Sequence, residues 1–347
     1  MHEIIRKLIV LIETNPDWYH TFNRVINKIK SLDEFKDIND LQSWLEWCNS
    51  LLYWIPVETP DGNNVDHKLT KFYFVFNQTG LQKTPLLSQW MIDYAKEIGK
   101  FLDTTESINE ESLKTFTSYD LSQYQKDPSG WKTFNQFFAR RVKPGFRPID
   151  NIHNKNVIVS VADSVFKGQW DINDQSQITV KGINWSIKEL LHNIPYSNYF
   201  NNGLFIHCYL SPSDYHRFHT PLEGKVLHTE IVQGNVYLET YIKDNKLKTW
   251  RPKYIIGYED GVGYQFTQTR GILILETRIG LVAIIPVGMS LVSSVTITAE
   301  KNTTLYKGEE FGYFQFGGSD YIMLFENKPI ITAKVNTHYK QGKRIGH

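Results

Sequence analysis

Apolar positions in the first hundred residues recur at the three-to-four-residue spacing of amphipathic helices. Asn15-Pro16-Asp17 is a helix start, a capping side chain followed by proline at the first helical position, and Trp18, Phe22, Val25, Ile26 and Ile29 then share one face. Asp40 caps a second helix with Leu41, Trp44, Leu45, Cys48, Leu51 and Leu52 inward, closed by Pro56. Thr59-Pro60-Asp61-Gly62-Asn63-Asn64 predicts a loop. Thr84-Pro85 opens a third helix with Leu87, Trp90, Met91, Tyr94, Ile98 and Phe101 inward. The polar stretch 106–130 predicts a linker, and Trp131–Arg141 one more amphipathic helix, ended by Lys143-Pro144-Gly145. From Val157 the texture changes to short β-rich runs separated by Gly, Asn and Asp. These are Val157–Val161, Gln177–Val180, Leu204–Leu210, Lys225–Val232, Gly271–Thr277, Leu281–Val287 and Leu291–Thr298. The pattern predicts an α+β protein, with a helical domain at 1–105, a linker at 106–130 and a β-rich domain at 131–347.

A length of 347 residues with 41% apolar content suits two ordinary cores. With 38 basic against 37 acidic residues, no bulk field points to nucleic acid. The nine tryptophans read as core anchors before ligand stackers. Cys48 and Cys208 lie far apart without CxxC spacing, so a reducing compartment is the simpler expectation. The apolar Leu8–Ile12 run is too short for a signal segment, and Ile279–Met289 contains Pro286 and falls short of a membrane span. The composition therefore reads as a soluble protein of the cell interior.

Four segments carry candidate chemistry. In Phe316-Gly317-Gly318-Ser319 the serine hydroxyl can attack the Gly318 carbonyl, and elimination from the resulting ester followed by hydrolysis leaves a pyruvoyl group. Glycine suits the upstream side because it has no Cβ, although Gly-Gly-Ser alone also reads as a turn. Asp214-Tyr215-His216-Arg217-Phe218-His219 holds two histidines three apart. They read as satisfied turn residues, as general acid–base groups, or as a metal pair with His207 as third ligand. Asp163, at the end of the apolar Val159–Val161 run, is a turn former or the carboxylate that orients a histidine. Arg140 and Arg141 follow the aromatic Phe134–Phe138 run as a solvated helix end or an anion site.

Taken in order, Phe134–Asp150, Val159–Ser164, Tyr209–Gly224, Pro286–Ser294 and Lys307–Phe325 resemble the phosphatidylserine decarboxylase family over roughly residues 131–335. The N-terminal region, with Val165–Gly168 and Ile187–Leu191, is similar to a branch that includes soluble fungal L-tryptophan decarboxylases. The resemblance implies a β-rich catalytic domain and a zymogen that cleaves itself between Gly318 and Ser319. The pyruvoyl cofactor would derive from Ser319, with neither pyridoxal phosphate nor a metal. Asp163 and His219 match the partners of Ser319 in processing, and His216 matches the histidine that supplies a proton in decarboxylation. The implied reaction is phosphatidylserine to phosphatidylethanolamine in phospholipid biosynthesis. Decarboxylation of a free, tryptophan-like amino acid and an unprocessed binding protein are the alternatives. Implied partners are a small-molecule or lipid-headgroup amino-acid substrate, the protein's own small chain, a peripheral membrane surface and, as one permitted assembly, a homodimer. Two positions depart from the family pattern: Val161-Ala162-Asp163-Ser164 stands for Pro-Ala-Asp-Gly, and Asp320 follows the serine where Thr or Ser is usual.

Overall fold

The computed structural model describes all residues except 60–63, 181–182, 239, 244–245, 250–265, 289–293 and 316–318. Five helices open the chain: α1 Glu3–Thr14, α2 Pro16–Ile29, α3 Leu41–Leu51, α4 Val65–Thr79 and α5 Pro85–Leu102. Asp40 caps α3 in a reciprocal box with Ser43, as the sequence suggests. Asn15 does not cap α2; its amide donates to the Leu11 carbonyl at 2.7 Å, so Pro16 alone marks the start. The sequence pattern leaves α4 unassigned for a physical reason. Ten of its residues are buried, including Thr70 and Lys71, so it lacks the one-sided stripe that betrays an amphipathic helix. Phe76, in its last turn, has ring centroids 5.2 Å from Trp44, 5.5 Å from Trp90 and 6.0 Å from Phe22. Residues 106–130 hold the short helix Glu110–Lys114 and bury Ile108, Phe116 and Tyr124. The helix expected over Trp131–Arg141 contracts to Phe134–Phe138.

The second half builds an eight-stranded antiparallel sheet. Its order is Thr304–Leu305, Gly224–Val232, Arg270–Thr277, Gly280–Gly288, Ser319–Phe325, Leu204–Leu210, Ser164–Asp171 and His338–Tyr339. A smaller sheet, Val295–Ile297, Glu310–Phe314 and Arg217–His219, packs beside it. The strand expected over Leu291–Thr298 is described only in its second part, 289–293 lying outside the described residues. Alternation divides the large sheet into two faces. Tyr321, Met323 and Phe325 join a core continuous with α1–α5 and Phe134–Phe138. Ile322 and Leu324 join a separate core with Ile178, Ile187 and Leu190.

Because Phe76 bridges three aromatic rings inside the helical core, Phe76→Ala should lower unfolding free energy by about 3–5 kcal/mol. Urea titration followed by tryptophan fluorescence measures it, and a loss below about 1 kcal/mol would mean that the ring cluster relaxes around the gap.

Candidate active site

Three chain segments meet at one end of the large sheet. Ser319 is the first residue of its strand, opposite Gly288 on one neighbour and Leu210 on the other. Leu210 leads directly into the loop that carries Asp214, Tyr215 and His216, while Asp163 immediately precedes the strand pairing Val165 with Tyr209. Tyr321, two residues beyond Ser319 on the same face, ties the segments together, its hydroxyl lying 3.1 Å from Ser160 Oγ and 3.3 Å from Ser164 Oγ. The Ser319 hydroxyl is buried without a hydrogen-bond partner among the described residues. Gly318, the other half of the expected scissile bond, lies outside the described residues.

The two histidines of the Asp-Tyr-His-Arg-Phe-His segment face different partners. His219 donates from Nδ1 to the Gly308 carbonyl at 2.8 Å, leaving Nε2 to accept from the Tyr215 hydroxyl at 3.0 Å. Burial holds its pKa below the ordinary histidine value, against the opposing pull of Gly308 and Glu310. His216 donates from Nδ1 to the Asp214 carbonyl at 2.9 Å and packs 4.0 Å from the Phe138 ring centroid. Its Nε2 is buried without a partner among the described residues. Burial, reinforced by Arg140, pushes its pKa down to about 3. Both rings are neutral at pH 7, and His216 presents a bare lone pair.

Asp163 is near this group but does not touch His219. The His219 amide donates to Val161 at 2.8 Å, which places the backbones side by side. The Asp163 carboxylate instead receives Arg147 Nε at 2.8 Å and the Gln341 amide at 2.8 Å. The direct carboxylate–histidine contact expected from the sequence is thus replaced by a relay. Arg147 holds Asp163 and lies 5.8 Å over the Tyr215 ring, and Tyr215 bonds His219. A buried carboxylate needs a counter-charge, so Asp163 alone signalled that a cation must exist. Nothing in local spacing named Arg147.

Of the two arginines after Phe138, Arg141 is solvated and lies 3.6 Å from Glu310, whereas Arg140 is buried and bonded to the protein's own carbonyls. Arg140 is 1% exposed, and its Nη2 donates to the carbonyls of Ser213 at 2.8 Å and Asp214 at 3.1 Å, gripping the loop that positions His216. Arg217 likewise holds the Ala139 carbonyl at 2.7 Å. Within the loop Asp214 accepts from the Ser211 amide at 2.8 Å and pairs with His338 at 2.8 Å. His207, weighed from sequence as a third metal ligand, points to the opposite face of the sheet and pairs with Asp320 at 3.1 Å. Asp320, which follows the serine where the family usually has Thr or Ser, is therefore turned away from Ser319 by strand alternation.

Two predictions test this geometry. Asp320→Asn should leave the rate at which Ser319 cleaves the chain within about threefold, while lowering stability by roughly 1–3 kcal/mol through the weakened His207 contact. Intact-mass time courses and chemical denaturation separate the two effects; a large change in cleavage rate with unchanged stability would place the carboxylate on the Ser319 side. For His338, the hydrogen bond to Asp214 raises the pKa above its ordinary 6.5 despite partial burial. Its stabilisation is complete below about 6.5 and is lost as pH rises through the higher folded value. Burial raises the Asp214 pKa, but bonds from His338 and Ser211 outweigh it, so that contribution fades only as pH falls below the ordinary 3.8. His338→Gln should flatten the alkaline side of the melting-temperature profile. An unchanged slope would show that the pair carries no linkage.

The phosphatidylserine decarboxylase family profile matches residues 134–347, from the Phe134–Phe138 helix to the last residue. The chain is 30% identical over 291 residues to a phosphatidylserine decarboxylase proenzyme of Fusobacterium nucleatum, covering 80% of this chain and 89% of that protein. It is 34% identical over 228 residues to the proenzyme of Anoxybacillus flavithermus, covering 65% of this chain and 79% of that one. Against phosphatidylserine decarboxylase proenzyme 2 of Saccharomyces cerevisiae it is 33% identical over 262 residues, spanning 72% of this chain but only 21% of the larger yeast protein. A buried serine at the head of a central strand, without a hydrogen-bond partner among the described residues, two histidines in separate settings and these likenesses converge: the chain belongs to the phosphatidylserine decarboxylase family.

Proposed function

We propose that this protein is a carboxy-lyase that cleaves itself at Ser319 and converts phosphatidylserine to phosphatidylethanolamine. The observation that carries the reading is the Ser319 hydroxyl, buried in a family-matched region and without a hydrogen bond among the described residues that would hold it inert. In processing, Ser319 Oγ adds to the Gly318 carbonyl and the amide becomes an ester. His219 takes the hydroxyl proton at Nε2, exchanging Tyr215 for Ser319, and returns it to the departing Ser319 nitrogen. Asp163 acts as a positioning residue through Arg147 and Tyr215. Elimination then breaks the ester, freeing the Gly318 carboxylate, and hydrolysis with loss of ammonia leaves the pyruvoyl group.

The residues present fit that group, because residue 319 becomes a chain terminus in a buried position opposite Leu210, from which the loop carrying the neutral His216 departs. Once formed, the pyruvoyl ketone supplies an electron sink for the pair left as CO2 departs. His216 is bare at Nε2, so it must gain a proton before it can give one. Protonated in the substrate complex, it delivers that proton to Cα after CO2 loss. An anionic substrate favours this uptake by Coulombic attraction to the imidazolium. Among the described residues no helix is long and apolar enough to cross a membrane, which suits a peripheral approach to lipid.

Purified protein should run as a large chain of residues 1–318 and a small chain of 29 residues (347 − 318), and should release CO2 from phosphatidylserine. Ser319→Ala and His219→Ala should remain single chains, and Asp163→Asn should cleave slowly. His216→Ala should cleave yet lose decarboxylation by about 10²–10⁴-fold. An uncleaved His216→Ala beside a normally cleaved His219→Ala would reverse the two roles. CO2 from free tryptophan but not from phosphatidylserine would move the substrate to the free amino acid. An intact, inactive wild-type chain would leave a binding protein.

A further inference from the structure

A cavity of about 410 Å³ separates α5 from the catalytic region. Ile92, Ile98 and Leu102 form its apolar wall, Asn135, Ser294 and Gln315 are polar groups in the lining, and Lys96 and Lys100 line it together with one carboxylate, Asp103, which accepts from Asn135 Nδ2 at 2.8 Å. Gln315 is held by Ser294 Oγ at 3.0 Å. It lies four residues before Ser319, a span of at most about 14 Å for extended chain. The cavity thus adjoins the reactive residue without being built by it. Its α5 residues precede the stretch matched by the family profile, 134–347, so that match assigns them nothing.

Two features point to a ligand. Lys100 pairs with Glu97 at 2.7 Å, whereas Lys96 is exposed and makes no ion pair among the described residues. Gly99, inside α5 and lining the cavity, has no heavy atom within 4 Å of where a Cβ would stand. Glycine in a helix interior costs roughly 0.5–1 kcal/mol relative to alanine. Here the missing side chain widens the chamber.

We propose that this chamber binds the glycerophosphoryl part of phosphatidylserine, with the phosphodiester at Lys96 and Lys100 and the glycerol against Ile92 and Ile98. The inference rests on the decarboxylase reading and names the residues that select its substrate. The electrostatics distinguish the lipid from a free amino acid. The substrate's α-carboxylate must leave as neutral CO2, and a cation held against it would oppose that loss. A lysine pair is therefore useful to a second anion that persists through the reaction, and the phosphodiester is that anion. A free aromatic amino acid has none.

Steady-state CO2 release by cleaved protein, using monomeric dihexanoyl phosphatidylserine, tests the assignment, with intact mass read on every variant. Lys96→Ala/Lys100→Ala should raise KM about tenfold, with kcat within about twofold. Lys96→Arg/Lys100→Arg should restore most of the KM. Gly99→Phe should also raise KM by at least about tenfold, by filling the chamber. Glycerophosphoserine should be accepted more weakly than the lipid, and free L-serine and L-tryptophan far more weakly than either. Unchanged KM in both the alanine pair and Gly99→Phe, with all chains cleaved, would overturn the chamber while leaving the decarboxylase reading intact. A wild-type chain that is uncleaved, or that prefers tryptophan, would overturn both.

Discussion

Side chains alternate across a strand, so one register choice fixes the chemistry on both sides of the central sheet. The strand from Ser319 to Phe325 is paired along its whole length between Gly280–Gly288 and Leu204–Leu210. That pairing sends Ser319 toward the core shared with the helices and sends Asp320 to the other face, where His207 receives it. A slip of one residue would exchange them, burying a carboxylate against the histidine loop and a hydroxyl against His207. The apolar residues that follow, alternately assigned to two separate cores, make that slip costly. The site's composition is thus guarded by packing several residues away from it.

Around this strand, backbone carbonyls do much of the positioning. Gly308 fixes the tautomer of His219 and Asp214 that of His216, while Arg140 grips the carbonyls of Ser213 and Asp214. Carbonyl partners hold a ring without adding charge to it. Both imidazoles therefore stay neutral in a buried site, where a carboxylate partner would favour the imidazolium. Asp163, a buried carboxylate near this group, is matched by Arg147. Its charge is already balanced when the histidines act.

The strands were legible because strands buried on both faces are short apolar runs between turn residues; Leu204–Leu210 has the same limits in sequence and structure. The helix α4 was not, since a helix buried on most sides loses its period. Ser319, His216 and His219 could be picked out because unusual residue types cluster in short segments. Arg147 and Arg140 could not. Their partners lie 16 and 73 residues away, and Arg140's contacts to carbonyls leave no trace in side-chain identity. Asp320 stood out as an anomaly, but which face it occupies depends on register, which three dimensions decide. The chamber beside α5 was invisible for the same reason, being assembled from residues 92–315.

The placement of the 319–325 strand in the middle of the sheet has a consequence for the life history of the molecule. If the peptide bond before Ser319 is cut, the severed piece still lies between two full-length neighbours and contributes the edge strand His338–Tyr339 as well. It stays by sheet pairing and burial rather than by covalent linkage. Such an assembly can be built only once, from an intact chain whose sheet forms before the cut. After full denaturation, the fragment would have to find the vacated centre of a sheet by diffusion, at a rate that falls with dilution. The mature protein would then owe its endurance to slow unfolding rather than to a reversible equilibrium.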